Sequence, residues 1–311
     1  MTKETIYELE SPYRNPLQVK GYSFGKGNKS ACVVGTMRGN EVQQLYVCSQ
    51  LINTLTKLEK DGGIINNNKI LVIPSINHFS MNIGKRFWAL DNTDINRMFP
   101  GYGRGETTQR IAAGVFEKIQ GYNYGIQLAS FYMQGDFIPH VRMMATGYQN
   151  SSLATLFGLQ YVVVRQPRPY DTTTLNYNLQ LWDTRAFSIY TTETDRVDDK
   201  SARQAVSAIL RFLTRMGVIK YPSHAGYISS AINEDDLLCV KTQQPGFFRR
   251  LRSPGDEVER GDLLAEILHP YEGNVIFKVV APVHGVVFFA HNTPMTMENQ
   301  VVFKLIKRMH T

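Results

Sequence analysis

The chain predicts an α/β fold with a mainly parallel or mixed sheet, followed by a small all-β domain. Three features carry that prediction. Ala31-Cys32-Val33-Val34 and the run KILVIP at 69–74 are continuously apolar, as strands buried on both faces must be. Segments of helical period alternate with such runs, the grammar of an α/β domain. After Met216 the helical period stops, and short β-type runs separated by turns take over.

Taken in order, residues 1–28 read as an amphipathic β-like lead-in ending in a turn at 23–28. The run through Val34 then enters Gly35-Thr36-Met37-Arg38-Gly39-Asn40-Glu41. A strand leading through a turn into a helix puts that turn at the carboxyl edge of the sheet, where open α/β sheets place their ligands. Arg38 and Glu41, three residues apart around a Gly, are therefore the expected centre of any active site. From 41 to 60, Leu45, Cys48, Ile52 and Leu55 recur at helical spacing, with Leu51 and Leu58 widening the face, and Gly62-Gly63 stops the helix. The irregular stretch 77–105 is long enough to suggest function. Thr107-Thr108 is expected to cap a helix through 119. Strands are expected at 124–129, 141–145, 159–165 and 186–192, and helices at 151–157 and 199–216. The domains are expected to span 1–220 and 221–311.

Of the 311 residues, 43% are apolar and 20% charged, the balance of a globular protein rather than a disordered one. No run approaches the roughly 20 apolar residues of a membrane span, and the N-terminus lacks the apolar core of a signal peptide. Cys32, Cys48 and Cys239 stand far apart, which favours reduced thiols in a cytoplasmic protein. The net charge of +7 is scattered, so nucleic acid and membrane surfaces are not expected partners. A modest preference for anionic small molecules is expected instead.

One block is specific: Asp94-Ile95-Asn96-Arg97-Met98-Phe99-Pro100-Gly101, preceded by Arg86. With the turn Arg38-Gly39-Asn40-Glu41, the strand end Gln127-Leu128-Ala129 and Thr191-Thr192-Glu193, it resembles the succinylglutamate desuccinylase/aspartoacylase family along nearly the whole chain. In that family the turn reads His-Gly-Asp/Asn-Glu, the block reads Asp-Leu-Asn-Arg-x-Phe-Pro-Gly, and the strand ends Asp-Leu-His. The resemblance implies a zinc-carboxypeptidase-like mixed sheet flanked by helices, of the phosphorylase/hydrolase-like type, with a barrel-sandwich C-terminal domain. Residues 255–262 and Ala281-Pro282-Val283-His284-Gly285 fit turn and strand motifs of that domain. Between them, 269–274 holds no lysine, which argues against a swinging-arm carrier.

The family reaction is zinc-dependent hydrolysis of an N-acyl amide or ester bond. By resemblance, Glu193 is the general acid/base and Arg86 steadies the oxyanion. Asn96 and Arg97 grip the substrate carboxylate, which suits a guanidinium fork. Glu41 is the one metal-ligand position retained, since Arg38 and Ala129 replace the two His. A guanidinium has no lone pair to offer and its charge repels a cation. Zinc is therefore expected in the family but not in this chain. Arg38 is expected to lie against Glu41 and Gln127, as a fixed cation that with Arg86 and Arg97 makes a carboxylate- or phosphate-binding pocket. Of the histidines, His140 is the best-placed substitute ligand, although no metal-type spacing occurs. Phe131, Tyr132, Met133 and Phe137 suit either an acyl pocket or packing. Two readings remain open. One is an inactive carboxylate-binding homologue or partner subunit, as a homo-oligomer or beside an active paralogue. The other is an active deacylase using relocated ligands or Glu193.

Overall fold

The computed structural model describes residues 1–12, 15–148 and 151–308; His310 lies outside them. The chain divides into two compact units. The first comprises Met1–Ser130, Pro139–Tyr190 and Thr194–Ala231; the second comprises Phe131–Ile138, Thr191–Glu193 and Ile232–Thr311.

In chain order the strands begin with β1 (Thr2–Leu9), β2 (Leu17–Gly25), β3 (Gly27–Thr36), β4 (Asn67–Ser75) and β5 (Tyr124–Leu128). They continue with β6 (Gly135–Phe137), β7 (His140–Met144), β8 (Tyr161–Arg165), β9 (Arg185–Tyr190) and β10 (Ser230–Asn233). The helices are α1 (Val42–Lys60), α2 (His78–Asn82), α3 (Thr107–Ile119), α4 (Ser152–Thr155), α5 (Leu175–Leu181) and α6 (Asp199–Arg215). Nine strands form one mixed sheet in the order β1-β2-β4-β3-β5-β9-β7-β8-β10. Its centre is parallel: β3 pairs with both β4 and β5, and β5 with β9.

Alternation of side chains along a strand explains why these central strands are apolar throughout. Val33 and Val72 face a core with Leu51 of α1 and Phe212 of α6. Cys32, Val34 and Leu71 face the opposite core, with Ile111 and Val115 of α3. Gln43 fastens α1 to α6: its amide donates to the Asp198 carbonyl (2.8 Å) and accepts from the Asp198 N–H (2.9 Å). Asp198 caps α6 by accepting from the N–H groups of Lys200 and Ser201.

The expected elements differ from the observed ones mainly at their ends. Thr107 opens α3, but Glu106 is its N-cap, in a capping box with Gln109. The expected helix at 151–157 shortens to α4. The last expected strand ends at Tyr190, leaving Thr191 to Glu193 outside it. Elements without a counterpart in the sequence reading include α5, the three-residue β6 and β10. The stretch expected to be irregular, 77–105, contains α2 and a turn of 3-10 helix at Ile95–Arg97.

The second unit is built from β6, β11 (Leu238–Lys241), β12 (Gly246–Arg250), β13 (Glu257–Val258), β14 (Leu263–Leu268), β15 (Val275–Val280), β16 (Gly285–His291), β17 (Met295–Thr296) and β18 (Val301–Lys307). Four strands run in the order β15-β14-β12-β17; the other sheet runs β11-β18-β16-β13, with β6 on β16. Leu264, Ile267, Val287 and Phe303 fill the core of this unit. The aromatic segment after Ser130 packs here: the Phe137 ring lies 4.8 Å from that of Phe289 and 5.3 Å from that of Phe131.

Candidate functional site

At the carboxyl end of β3 the chain turns tightly into α1. The Thr36 hydroxyl donates to the Glu41 carbonyl (2.9 Å), and the Glu41 N–H donates to the Arg38 carbonyl (3.0 Å). Gly39 is required by close approach: its N–H donates to the Arg86 carbonyl at 2.7 Å, and a Cβ would lie 2.1 Å from the Lys85 carbonyl oxygen. The turn thus holds the 77–88 segment against itself.

Arg38 and Glu41 are buried inside this turn, at 4% and 2% exposure. Glu41 Oε2 accepts the backbone N–H groups of Met37 (2.8 Å) and Arg38 (3.0 Å). Its Oε1 accepts from Arg38 Nη1 (3.2 Å) and from the Ser130 hydroxyl. The far side of the guanidinium donates Nε–H (3.1 Å) and Nη2–H (2.8 Å) to Asp94 Oδ2, while Nη1 also reaches Ser130 Oγ (3.1 Å). Four of the five N–H groups that a guanidinium carries are therefore given to the protein. Burial alone would lower the Arg38 pKa, but the Glu41 and Asp94 charges outweigh it and hold the group above its ordinary value.

Arg38 does lie against Glu41, as expected, but its second partner is Asp94 rather than Gln127. Gln127 Nε2 donates to Asn96 Oδ1 (3.3 Å) and approaches Met37 Sδ (3.6 Å). With two carboxylates on one guanidinium the cluster has no positive charge to spare. Arg86 adds a fourth charge: its pKa is lowered first by burial and then by Arg38, while Glu41 and Asp94 oppose the shift. Its guanidinium stacks on the Phe87 ring at 5.3 Å.

The other expected residues occupy separate settings. Asn96 is buried, and its Oδ1 also accepts the Leu175 N–H (3.3 Å), tying the block to α5. Arg97, with its side chain 31% exposed, donates to the Tyr170 carbonyl (2.6 Å), meets Asp171 at 3.5 Å and stacks on the Tyr170 ring at 5.4 Å. Asp171 in turn accepts Nε (3.1 Å) and Nη2 (2.9 Å) of Arg165. Ala129 contributes its backbone, with its carbonyl accepting from Gln44 Nε2 (3.1 Å). Glu193 belongs to the second unit, and its carbonyl accepts the Thr191 hydroxyl (2.7 Å). His140 is buried in β7 with its ring stacked on Tyr190 at 4.8 Å, and Arg142 lies over the same ring.

Asp94 and Ser130 were missed as partners of Arg38. Asp94 carried a signal, since it opens the specific block. Ser130 carried none beyond its place next to Ala129. Zinc requires unshared electron pairs from several protein donors. Among the positions that the resemblance assigns to metal ligands, Arg38 has no lone pair, Ala129 has no donor atom, and both Glu41 oxygens already accept hydrogen bonds. Among the described residues, no three His, Cys, Asp or Glu stand together as a potential metal site.

The large mixed sheet flanked by helices, with antiparallel sheets in the C-terminal region, is the fold of succinylglutamate desuccinylase/aspartoacylase family proteins. Residues 28–216 match the family described as "Succinylglutamate desuccinylase/Aspartoacylase catalytic domain", and the chain belongs to that family. A succinylglutamate desuccinylase from Silicibacter sp. TM1040 superposes with a TM-score of 0.81 at 17% identity, covering 97% of this chain and 92% of its own. A succinylglutamate desuccinylase/aspartoacylase from Rhodobacter sphaeroides gives 0.81 at 18% identity, with 99% and 96% covered. The product-bound ectoine utilization protein EutE (DoeB) from Ruegeria pomeroyi gives 0.78 at 17% identity, with 94% and 89% covered. No curated protein matches the chain in sequence. No helix among the described residues is long and apolar enough to cross a membrane.

Proposed function

We propose that this chain is a zinc-independent member of its family, a carboxylate-binding homologue in which the Arg38 guanidinium takes the place of the metal charge. The observation that carries this reading is the saturated cluster: Arg38 bridges Glu41 and Asp94, so the one retained ligand position is already neutralised. The donor set does not fit a zinc ion held in the family manner. Without zinc, hydrolysis loses both its electrophile and its activated water. The ligand is a small anion bearing a carboxylate, with Arg86 and Arg97 as its guanidinium partners and Asn96 beside them. Arg38 holds the site's shape. The protein works in the cytoplasm as a partner subunit, in a homo-oligomer or beside an active paralogue. Buried Cys32 and Cys48 accord with a reducing compartment, and burial pushes the Cys32 thiol up to about 12.

Metal analysis of the purified protein tests the reading, paired with an Arg38→His, Ala129→His double variant. The unmodified chain is expected to hold far less than one zinc per molecule and to leave N-acyl amino acids intact. The double variant is expected to take up zinc. Stoichiometric zinc, or N-acyl hydrolysis, in the unmodified chain would overturn it.

A further inference from the structure

The four-stranded sheet β15-β14-β12-β17 of the second unit has one face in that unit's core, where Phe248 and Ile267 pack. Alternation along each strand turns their neighbours the other way, towards solvent. On that outer face the register lines up one residue from every strand. Met295 of β17 lies opposite Phe247 of β12, Phe247 opposite Leu268 of β14, and Leu268 opposite Val275 of β15. All four are apolar, and Met295, Phe247 and Val275 are 46%, 42% and 38% exposed. Singly exposed apolar side chains are ordinary, but an unbroken row across a whole sheet marks a surface that another surface covers.

A charged row runs beside the apolar one. Arg249 lies opposite Glu266, and Glu266 opposite Lys278, so the signs alternate across three strands. Within the chain, Arg249 Nε–H donates to Glu266 Oε2 at 2.9 Å. Together the two rows are self-complementary. Sheets pack face to face with their strands nearly aligned, about 10 Å apart. A two-fold axis along the strands, midway between β12 and β14, sets each of these two strands over the other in a second copy. It likewise sets β17 over β15, and each row stays level with its own kind. Phe247 then meets Leu268 of the second copy, Met295 meets Val275, and Arg249 faces Glu266. An axis on β12 or on β14 would instead oppose Arg249 to Arg249 or Glu266 to Glu266. The charged row thus selects the axis between them.

We propose that this outer sheet face is an isologous dimer interface, and that its occupant is a second copy of this chain. The interface rests on the homo-oligomer reading above and stands whatever the Arg38 cluster binds.

Sedimentation velocity of the full chain across a dilution series tests this, with twice the mass of one chain expected. Phe247→Lys, at an exposed position, should weaken the dimer at least about tenfold, the scale of losing one interface anchor. Arg249→Glu should weaken it by opposing like charges. Adding Glu266→Arg should restore it, because the swap keeps every opposite-sign pair. A Val275→Cys, Met295→Cys variant on a Cys239→Ser background gives an independent reading. In one chain these positions are three strand spacings apart, about 14 Å, beyond the reach of a disulfide. Across the axis they face each other, so oxidation should give a covalent dimer. A single-chain mass at every concentration would overturn the interface, as would a dimer that Phe247→Lys leaves intact. A dimer that does not cross-link, or that the charge swap does not restore, would overturn the axis. The zinc-independent reading stands or falls separately, by metal analysis.

Discussion

Two arginine–carboxylate clusters in the first unit differ in burial and in how their ions are bridged. At Arg38 one guanidinium serves two carboxylates, Glu41 and Asp94, and the group is 4% exposed. At Asp171 one carboxylate serves two guanidiniums, and one of these, Arg97, is far more exposed, with its side chain at 31%. The comparison separates a cation committed to the protein from one that can respond to a ligand. A buried guanidinium that bridges two carboxylates cannot leave them without stranding charge. A half-buried one that shares a carboxylate with a second guanidinium can turn towards an incoming anion at little cost.

The largest effect that would sharpen the contrast is at Arg38 itself. Arg38→Met strands Glu41 and Asp94, and we expect a loss of about 3–5 kcal/mol in urea unfolding, the usual cost of removing one partner of a buried pair. A loss similar to that of a surface ion pair would break the comparison. Asp171→Ala comes next. It removes a buried acceptor from Arg165 and Arg97, but both guanidiniums retain access to water or other acceptors, so about 1–3 kcal/mol is expected by the same measurement. The smallest effect is at Ser130, where Ser130→Ala removes one hydrogen bond to Oγ and one from it. Both ions it touches keep other partners, and about 1 kcal/mol is expected. A Ser130→Ala cost equal to that of Arg38→Met would show that the hydroxyl, not the ion balance, holds the cluster.

Much of this protein was legible in its residues. The apolar runs at 31–34 and 69–74 identified buried central strands because only apolar side chains survive burial on both faces. The helical period over 41–60 gave α1 to within one residue of its start. The eight-residue block beginning at Asp94, together with the turn at Arg38, identified the family, and the family match covers both. The elements that were not legible are short or close through distant partners: β6 has three residues and its pairing lies on β16, far along the chain. The end of β9 at Tyr190 was illegible for a related reason, since strand ends depend on which neighbour offers a ladder.

What the sequence determined by itself was the chemistry available at the turn. Arginine at position 38 has no lone pair wherever the chain puts it, and alanine at 129 has no donor atom. What only the tertiary structure decided was how the charge of Arg38 is spent. Asp94 lies 56 residues along the chain, and nothing local announces that its carboxylate, rather than Gln127, meets the guanidinium. That pairing depends on where the 77–97 segment comes to rest over Gly39. Packing sets that position, and the low dielectric of the buried turn then makes the ion balance decisive.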